Sequence, residues 1–390
     1  SLHAVEEKGR LPLEELRTFA DVYHQIRLGY VEEIDDSTLL EYAIQGMLNG
    51  LDPHSVYLTE DAFQNLQEGA TGEFTGLGLE VGMEDGYVKI ISPIDGSPAA
   101  DAGLQSGDVI IKLDKSPVKG MSLPEAIEIM RGPKGSKIEL TIGRPGESQP
   151  FEVTLVRDVI RVASVRERWL EPGYGYIRVA QFQNRTGDDV RKSLQKLMDE
   201  QDLRGLVLDL RNNPGGILRA SVDVAGLFMD GGLVVYTDGR LDHSDVTYDA
   251  EAIDASGGVP LIVLINSGSA SASEIVAGAL QDHGRAVIMG TRSFGKGSVQ
   301  TILPLSESRA VKLTTALYFT PEGRSIQAEG IEPDIHVERA TVTAYRGDGR
   351  VKEADLSGHL DNVNGDKEKK GKQVSNGLLA SDNQLYEALT

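Results

Sequence analysis

Apolar residues recur at helical spacing at the start of the chain. Leu16, Phe19, Val22, Tyr23 and Ile26 fall on one face and predict a first helix. A second is predicted from Asp36-Ser37, carrying Leu39, Leu40, Ala43 and Met47 and ending at Gly50. The stretch Leu51-Asp-Pro-His-Ser55 then breaks the period. From residue 72 the pattern turns to alternation. Gly76-Leu-Gly-Leu-Glu-Val81 and Tyr87-Val-Lys-Ile-Ile91 flank the turn Glu84-Asp85-Gly86, as two strands of a hairpin would. A short helix at 97–104, a strand at 107–113, a helix opened by Ser122-Leu-Pro-Glu125, and strands at 137–142 and 151–156 follow. From 159 to 345, strand-like runs alternate with helical ones. The runs 175–179, 205–210, 260–265 and 286–289 read as strands, 188–197, 218–228 and the segment after Ser271 as helices. Strands at 301–305 and 310–319 are expected to finish the same sheet.

The order of elements between 72 and 158, with a Gly-Leu-Gly-Leu loop ahead of its first long strand, closely resembles a PDZ domain. That resemblance implies that Gly76, Leu77, Gly78 and Leu79 grip a C-terminal carboxylate while the peptide adds a strand to the sheet edge. The domains expected are a helical region at 1–71, the PDZ segment at 72–158, an α/β core at 159–345 and a polar linker with a helical end at 346–390. Leu385 and Leu389 share one face of that end, which suits packing on a partner subunit.

Composition narrows the function. The 390 residues carry a formal charge of −21, a field that repels phosphate backbones, so nucleic acid is not an expected partner. The run Lys367-Glu-Lys-Lys-Gly-Lys372 reads as a solvated linker. There is no cysteine, so disulfides, thiolate metal sites and a cysteine nucleophile are excluded, and the seven histidines show no metal-ligand spacing. No apolar run reaches membrane-spanning length.

The stretch Asn266-Ser-Gly-Ser-Ala-Ser-Ala-Ser-Glu274 joins a strand to a helix. Small polar residues there suit a helix cap, and Ser271 with Glu274 fits a capping box. They also suit a nucleophilic serine beside the free N–H groups of a helix N-terminus, though on this stretch alone the cap is the favoured reading, because caps far outnumber nucleophiles. A serine needs a base. His283 and His54 are candidates, as is Lys296 in Ser293-Phe-Gly-Lys-Gly-Ser-Val-Gln300, where burial between glycines would favour the neutral amine. Gln300, four residues on, is placed to orient it. Asp209-Leu-Arg-Asn-Asn-Pro-Gly-Gly216 follows a buried strand and offers further N–H groups. A rival pattern is the phosphate loop, matched by Gly290 through Lys296. Against it, position 297 is glycine where Ser or Thr would bind Mg²⁺, and the residues that follow are strand-like.

Taken together, these stretches and Asp355-Leu-Ser-Gly-His-Leu360 closely resemble the bacterial carboxyl-terminal processing (tail-specific) serine peptidases. The resemblance implies a multidomain α/β protein: a crotonase/Clp-protease-like spiral core, an inserted PDZ β-sandwich, and helical N- and C-terminal segments. It implies Ser271 as nucleophile, Lys296 as general base and Gln300 as the residue positioning the lysine. The N–H groups of Gly216 and Ala272 would form the oxyanion hole, with Gly215 adjacent. Arg131 would report PDZ docking to the core. No metal, nucleotide or other cofactor is expected. The substrates implied are proteins with apolar C-termini, including cell-wall hydrolases, delivered in some members by a lipoprotein adaptor. A periplasmic location and a homo-oligomer built through terminal helices complete the expectation.

Overall fold

The computed structural model describes residues 11–94, 96–240, 244–340 and 381–390. The polar stretch up to 380, with the motif at 355–360 and the basic run at 367–372, lies outside the described residues, as do His3 and His243. The chain forms two units, residues 1–64 with 299–316 and residues 65–298 with 317–390.

In the first unit the early periodicity becomes helices Leu13–Gly29 and Asp36–Asn49. Asp35 caps the second, accepting the Thr38 N–H at 2.9 Å. The pattern break at Leu51–Ser55 is a turn built on Asp52. Its carboxylate accepts the N–H groups of His54 and Ser55 at 2.7 and 2.9 Å and the Ser55 hydroxyl at 2.7 Å. The Thr314 hydroxyl adds a bond at 3.1 Å. These bonds aim strand Val56–Leu58 onto strand Ala310–Phe319, Val56 pairing antiparallel with Lys312. Strand Ser298–Pro304 also pairs with Ala310–Phe319. The last two strands therefore do not finish the main sheet, as alternation alone suggested. They build a separate one.

The second unit carries two sheets of six strands. In one, strands Leu79–Glu84, Tyr87–Pro93, Val109–Leu113, Lys137–Gly143 and Phe151–Val156 lie in that hydrogen-bonded order. Their alternate residues Val88, Ile90, Ile110, Ile138, Leu140 and Ile142 pack into a core with Ala126 and Met130 of helix Leu123–Met130. Strand Glu73–Gly76 pairs antiparallel with Asp158–Arg161, so both ends of this insert leave through one two-stranded stalk.

The other sheet runs Val165–Glu171, Tyr174–Val179, Gly205–Asp209, Leu261–Ile265, Val287–Gly290, Ile335–His336. Its first pair is antiparallel and the rest are parallel. Parallel neighbours need crossovers, supplied by helices Thr186–Glu200, Leu218–Gly226 and Ala272–Asp282. One face, with Tyr176, Val207, Leu264 and Met289, is covered by Leu385 and Ala388 of the C-terminal segment. Leu385 is 1% exposed. Of the two leucines expected to face a partner subunit, Leu385 is thus covered within the chain and Leu389 is half-buried. Because the strands run parallel, the loops after Val179, Asp209, Ile265 and Gly290 gather at one edge, the usual place for a site in an open α/β sheet.

Candidate active site

Three of those loops carry the candidate residues. Strand Leu261–Ile265 ends in a turn and helix Ala272–Asp282 starts at once, leaving Ser271 at the corner with φ 55° and ψ −112°. That conformation costs a side-chain-bearing residue on the order of 1–3 kcal/mol and persists only where its surroundings enforce it. A strained serine on a sharp strand-to-helix turn presents its hydroxyl outward, as in a nucleophile elbow. The neighbouring serines do other work. Ser269 and Ser273 are fully buried, and their hydroxyls donate to the Leu210 and Asn213 carbonyls at 2.8 and 2.9 Å. Of the four serines, Ser271 is the one at the corner.

The glycine loop lies against this corner. Asn213, fully buried, ties the two together: its carbonyl accepts the Ala270 N–H at 3.0 Å and its Nδ2 donates to the Val179 carbonyl. Its Oδ1 accepts the Gly215 N–H at 2.9 Å. Among the described residues the N–H groups of Gly216 and Ala272 have no hydrogen-bond partner. The Gly215 N–H is already engaged, which separates the two adjacent glycines. Gly215 serves as wall instead. A Cβ there would stand 2.8 Å from Ser271 Cβ and 3.0 Å from the Ala272 nitrogen.

The third loop brings Lys296. Glu274, fully buried, is the hub. One carboxylate oxygen accepts the Ser271 N–H at 2.7 Å and the Lys296 N–H at 2.9 Å. The other accepts the Ser293 hydroxyl and the Gly295 N–H, both at 2.6 Å. Burial lifts the Glu274 carboxyl above the usual carboxylate range, with these hydrogen bonds opposing. Tyr318, 1% exposed, donates to the Lys296 carbonyl and neighbours the Ser271 hydroxyl. Burial first, then the Glu274 charge, pushes its phenol well up, so it stays a neutral donor. Gln300 lies on strand Ser298–Pro304, its Nε2 3.5 Å from Thr314 Oγ1.

Glu274→Gln tests the hub. The amide keeps one acceptor oxygen and turns an NH₂ group toward two donors, so about 2–4 kcal/mol of stability is expected to go. Urea denaturation reads the loss, and kcat is expected to fall with it. An unchanged midpoint would remove Glu274 from this role.

His283 does not join the site: it is the C-cap of helix Ala272–Asp282, roughly 18 Å from Ser271 at 1.5 Å per residue, and its Nε2 is bonded to the Leu233 carbonyl. The phosphate-loop pattern also fails, because a strand follows Lys296 where a helix must open. Among the described residues no cluster of His, Asp and Glu is arranged to hold a metal.

In the inserted domain, Gly76 belongs to the stalk and Leu79 opens the edge strand. Leu77 and Gly78 form the loop between them. Their N–H groups have no partner among the described residues, while their carbonyls bond back to Ala99 and Ile94. Leu79 and Val81 of the edge strand, and Leu123 and Ile127 of the helix, are only partly buried. Arg131, the cap of that helix, reaches Glu68 Oε2 at 2.7 Å and lies over the Phe74 ring.

Sequence comparison agrees with this layout. Residues 173–337 match peptidase family S41, 89–144 a PDZ domain, and 1–62 the N-terminal domain of the activating protease CtpB. The carboxy-terminal-processing protease of Bartonella bacilliformis is 47% identical over 366 residues, 93% of this chain and 82% of that one. The chain belongs to peptidase family S41. The carboxyl-terminal-processing protease of Synechocystis sp. is 41% identical over 308 residues, 77% of this chain and 71% of that one. A solved S41 protease from Bacteroides fragilis shares the fold at 19% identity, with a TM-score of 0.50 over 81% of this chain and 90% of that one. This S41 chain is a serine-type peptidase with a PDZ domain, on a multidomain α/β fold. No helix among the described residues is long and apolar enough to cross a membrane.

Tyr318, Asn213 and Ser293 were not singled out in the sequence. Tyr318 sits in an ordinary strand pattern, and nothing local marks it. Asn213 lies inside a motif marked by its glycines, and Ser293 inside one marked by Lys296.

Proposed function

We propose that this peptidase cuts proteins near accessible apolar C-terminal tails through a Ser271–Lys296 pair, in the bacterial periplasm. Ser271 attacks the scissile carbonyl, neutral Lys296 takes its proton, and Gln300 orients the amine. The Gly216 and Ala272 N–H groups hold the oxyanion, and water then releases the acyl-enzyme. The observation that carries this reading is the strained Ser271 corner beside two unengaged backbone donors. A crotonase/Clp-like core is the form of the fold that suits it.

The test is chemical labelling. A fluorophosphonate is expected to modify the active enzyme once per chain, and peptide mapping to place the adduct on Ser271. An adduct on any other serine overturns the assignment.

The PDZ groove takes the substrate's tail: the Leu77 and Gly78 N–H groups meet the carboxylate and the edge strand Leu79–Glu84 pairs with the peptide. A labelled peptide with an apolar free C-terminus is expected to bind about tenfold or more tightly than its amidated twin, by fluorescence anisotropy. Equal binding would exclude carboxylate recognition. Arg131 relays tail occupancy toward the core through Glu68. Cell-wall hydrolases delivered by a lipoprotein adaptor suit the role. The helix Leu13–Gly29, which buries none of its apolar stripe in this chain, suits a homo-oligomer.

A further inference from the structure

The glycine loop is held from a part of the chain far away in sequence. Arg211 stands between strand Gly205–Asp209 and the loop, and every N–H of its guanidinium is used. Nε and one Nη2 hydrogen go to Asp209, at 3.0 and 2.7 Å. The other three go to the C-terminal segment: Asp382 takes Nη1 and Nη2 at 2.8 and 2.7 Å, and Gln384 Oε1 takes Nη1 at 3.0 Å. Five donors in a planar fork meet five acceptors, a match that fixes position as well as charge. Asp209, 1% exposed, also accepts from the Tyr176 hydroxyl and pairs with Arg178, whose Nη2 donates to the Arg211 carbonyl. Both the side chain and the backbone of Arg211 are therefore clamped just before Asn212 turns to φ 53° and Asn213 fixes Gly215.

The segment that completes the clamp is itself docked. Asn383 exchanges hydrogen bonds with Glu338 and Ala340, Gln384 donates to the Val337 carbonyl, and Leu385 and Ala388 are buried on the sheet.

We propose that the segment Ser381–Thr390 is a positioning element for the oxyanion-binding loop: Asp382 and Gln384 complete the Arg211 clamp and so hold the Gly216 N–H in place. This rests on the reading of Gly216 as an oxyanion donor. A group that holds a transition-state donor acts on kcat and leaves ground-state binding alone. It differs from a merely stabilising contact in that respect.

The experiment uses the full chain and a peptide substrate. Asp382→Asn, which keeps shape and removes the charge, is expected to lower kcat about tenfold with KM unchanged. Amide hydrogen exchange over residues 210–217 is expected to quicken. Asp382→Glu, which keeps the carboxylate, is expected to recover most of the rate. A kcat within twofold of wild type for Asp382→Asn overturns the proposal. So does a fall shared by kcat and folded fraction that Asp382→Glu does not repair. If Asp382→Asn does not fold, Gln384→Ala, which removes one contact of the three, decides. About threefold lower kcat supports the clamp, and unchanged kcat overturns it. The underlying reading fails separately: a silent Gly216→Ala removes the oxyanion donor, whereas a silent Asp382→Asn removes only the clamp.

Discussion

Ser271→Ala is expected to lower kcat on an unfolded protein with an apolar tail by about 10⁴-fold or more, with the fold retained. In the proposed mechanism the hydroxyl is the attacking atom, and the buried neighbours do not replace it: Ser269 and Ser273 have their hydroxyls committed to backbone carbonyls. Lys296→Ala is expected to match it, since in that mechanism nucleophile and base act as one unit and their losses do not add. Lys296→Arg sharpens the test. Arginine keeps much of the length, but its guanidinium stays protonated at any workable pH and cannot act as the neutral base. It is expected to be as inactive as alanine. Activity within tenfold of wild type in any of the three variants sinks the mechanism. Circular dichroism and a thermal midpoint close to wild type in the alanine variants show that the chemistry, not the fold, was removed.

Gly216→Ala carries the second large effect. Its φ of 141° lies where side-chain-bearing residues are rare, and a Cβ would stand 2.1 Å from the Phe182 carbonyl oxygen. That oxygen is backbone, held by the Ile217 N–H at 2.9 Å, so the loop must give way. Moving it displaces the Gly216 N–H, the proposed oxyanion donor. Loss of one oxyanion donor is expected to cost about 10²–10³-fold in kcat with a much smaller change in KM. Steady-state kinetics on one peptide measures both. A fall in substrate affinity with kcat intact would place Gly216 in binding and not in transition-state stabilisation.

Much of this site is written in local pattern. The run at 260–265 followed by small polar residues and helix formers fixes a strand, a corner and a helix, and Ser271 falls at the corner. Strand Gly205–Asp209 followed by Asn-Asn-Pro-Gly-Gly puts a flexible loop at the neighbouring strand's end. The inserted domain was legible because its core is one alternating set, Val88, Ile90, Ile110, Ile138, Leu140 and Ile142. What was not legible depends on pairing across distance. Strands Asp230–Gly239 and Thr247–Ala252 begin among glycines and charges and carry little alternation, so only their pairing defines them. The strands around 301–319 have the right pattern but no local mark of which sheet they join. A capping box at Ser271 and Glu274 can be read locally. That the same carboxylate also holds Ser293, Gly295 and Lys296 cannot, because those donors lie 19–22 residues further on. Leu385 and Leu389 share a face in the sequence, but a shared apolar face does not say whose surface it meets.

The shared oxygen of Glu274 limits how such an enzyme could be switched off. The backbones of Ser271 and Lys296 hang from one atom, so pulling them apart would leave a buried carboxylate short of donors, at a cost of several kcal/mol. The backbones of the proposed nucleophile and base are thereby held in register. Regulation then has to work on other parts, by swinging the lysine's amine away or by withdrawing the oxyanion donors. On the proposed mechanism, a dormant form of this peptidase would keep the Ser271 and Lys296 backbones in register and lack either the amine in place or the means of holding the charge that develops.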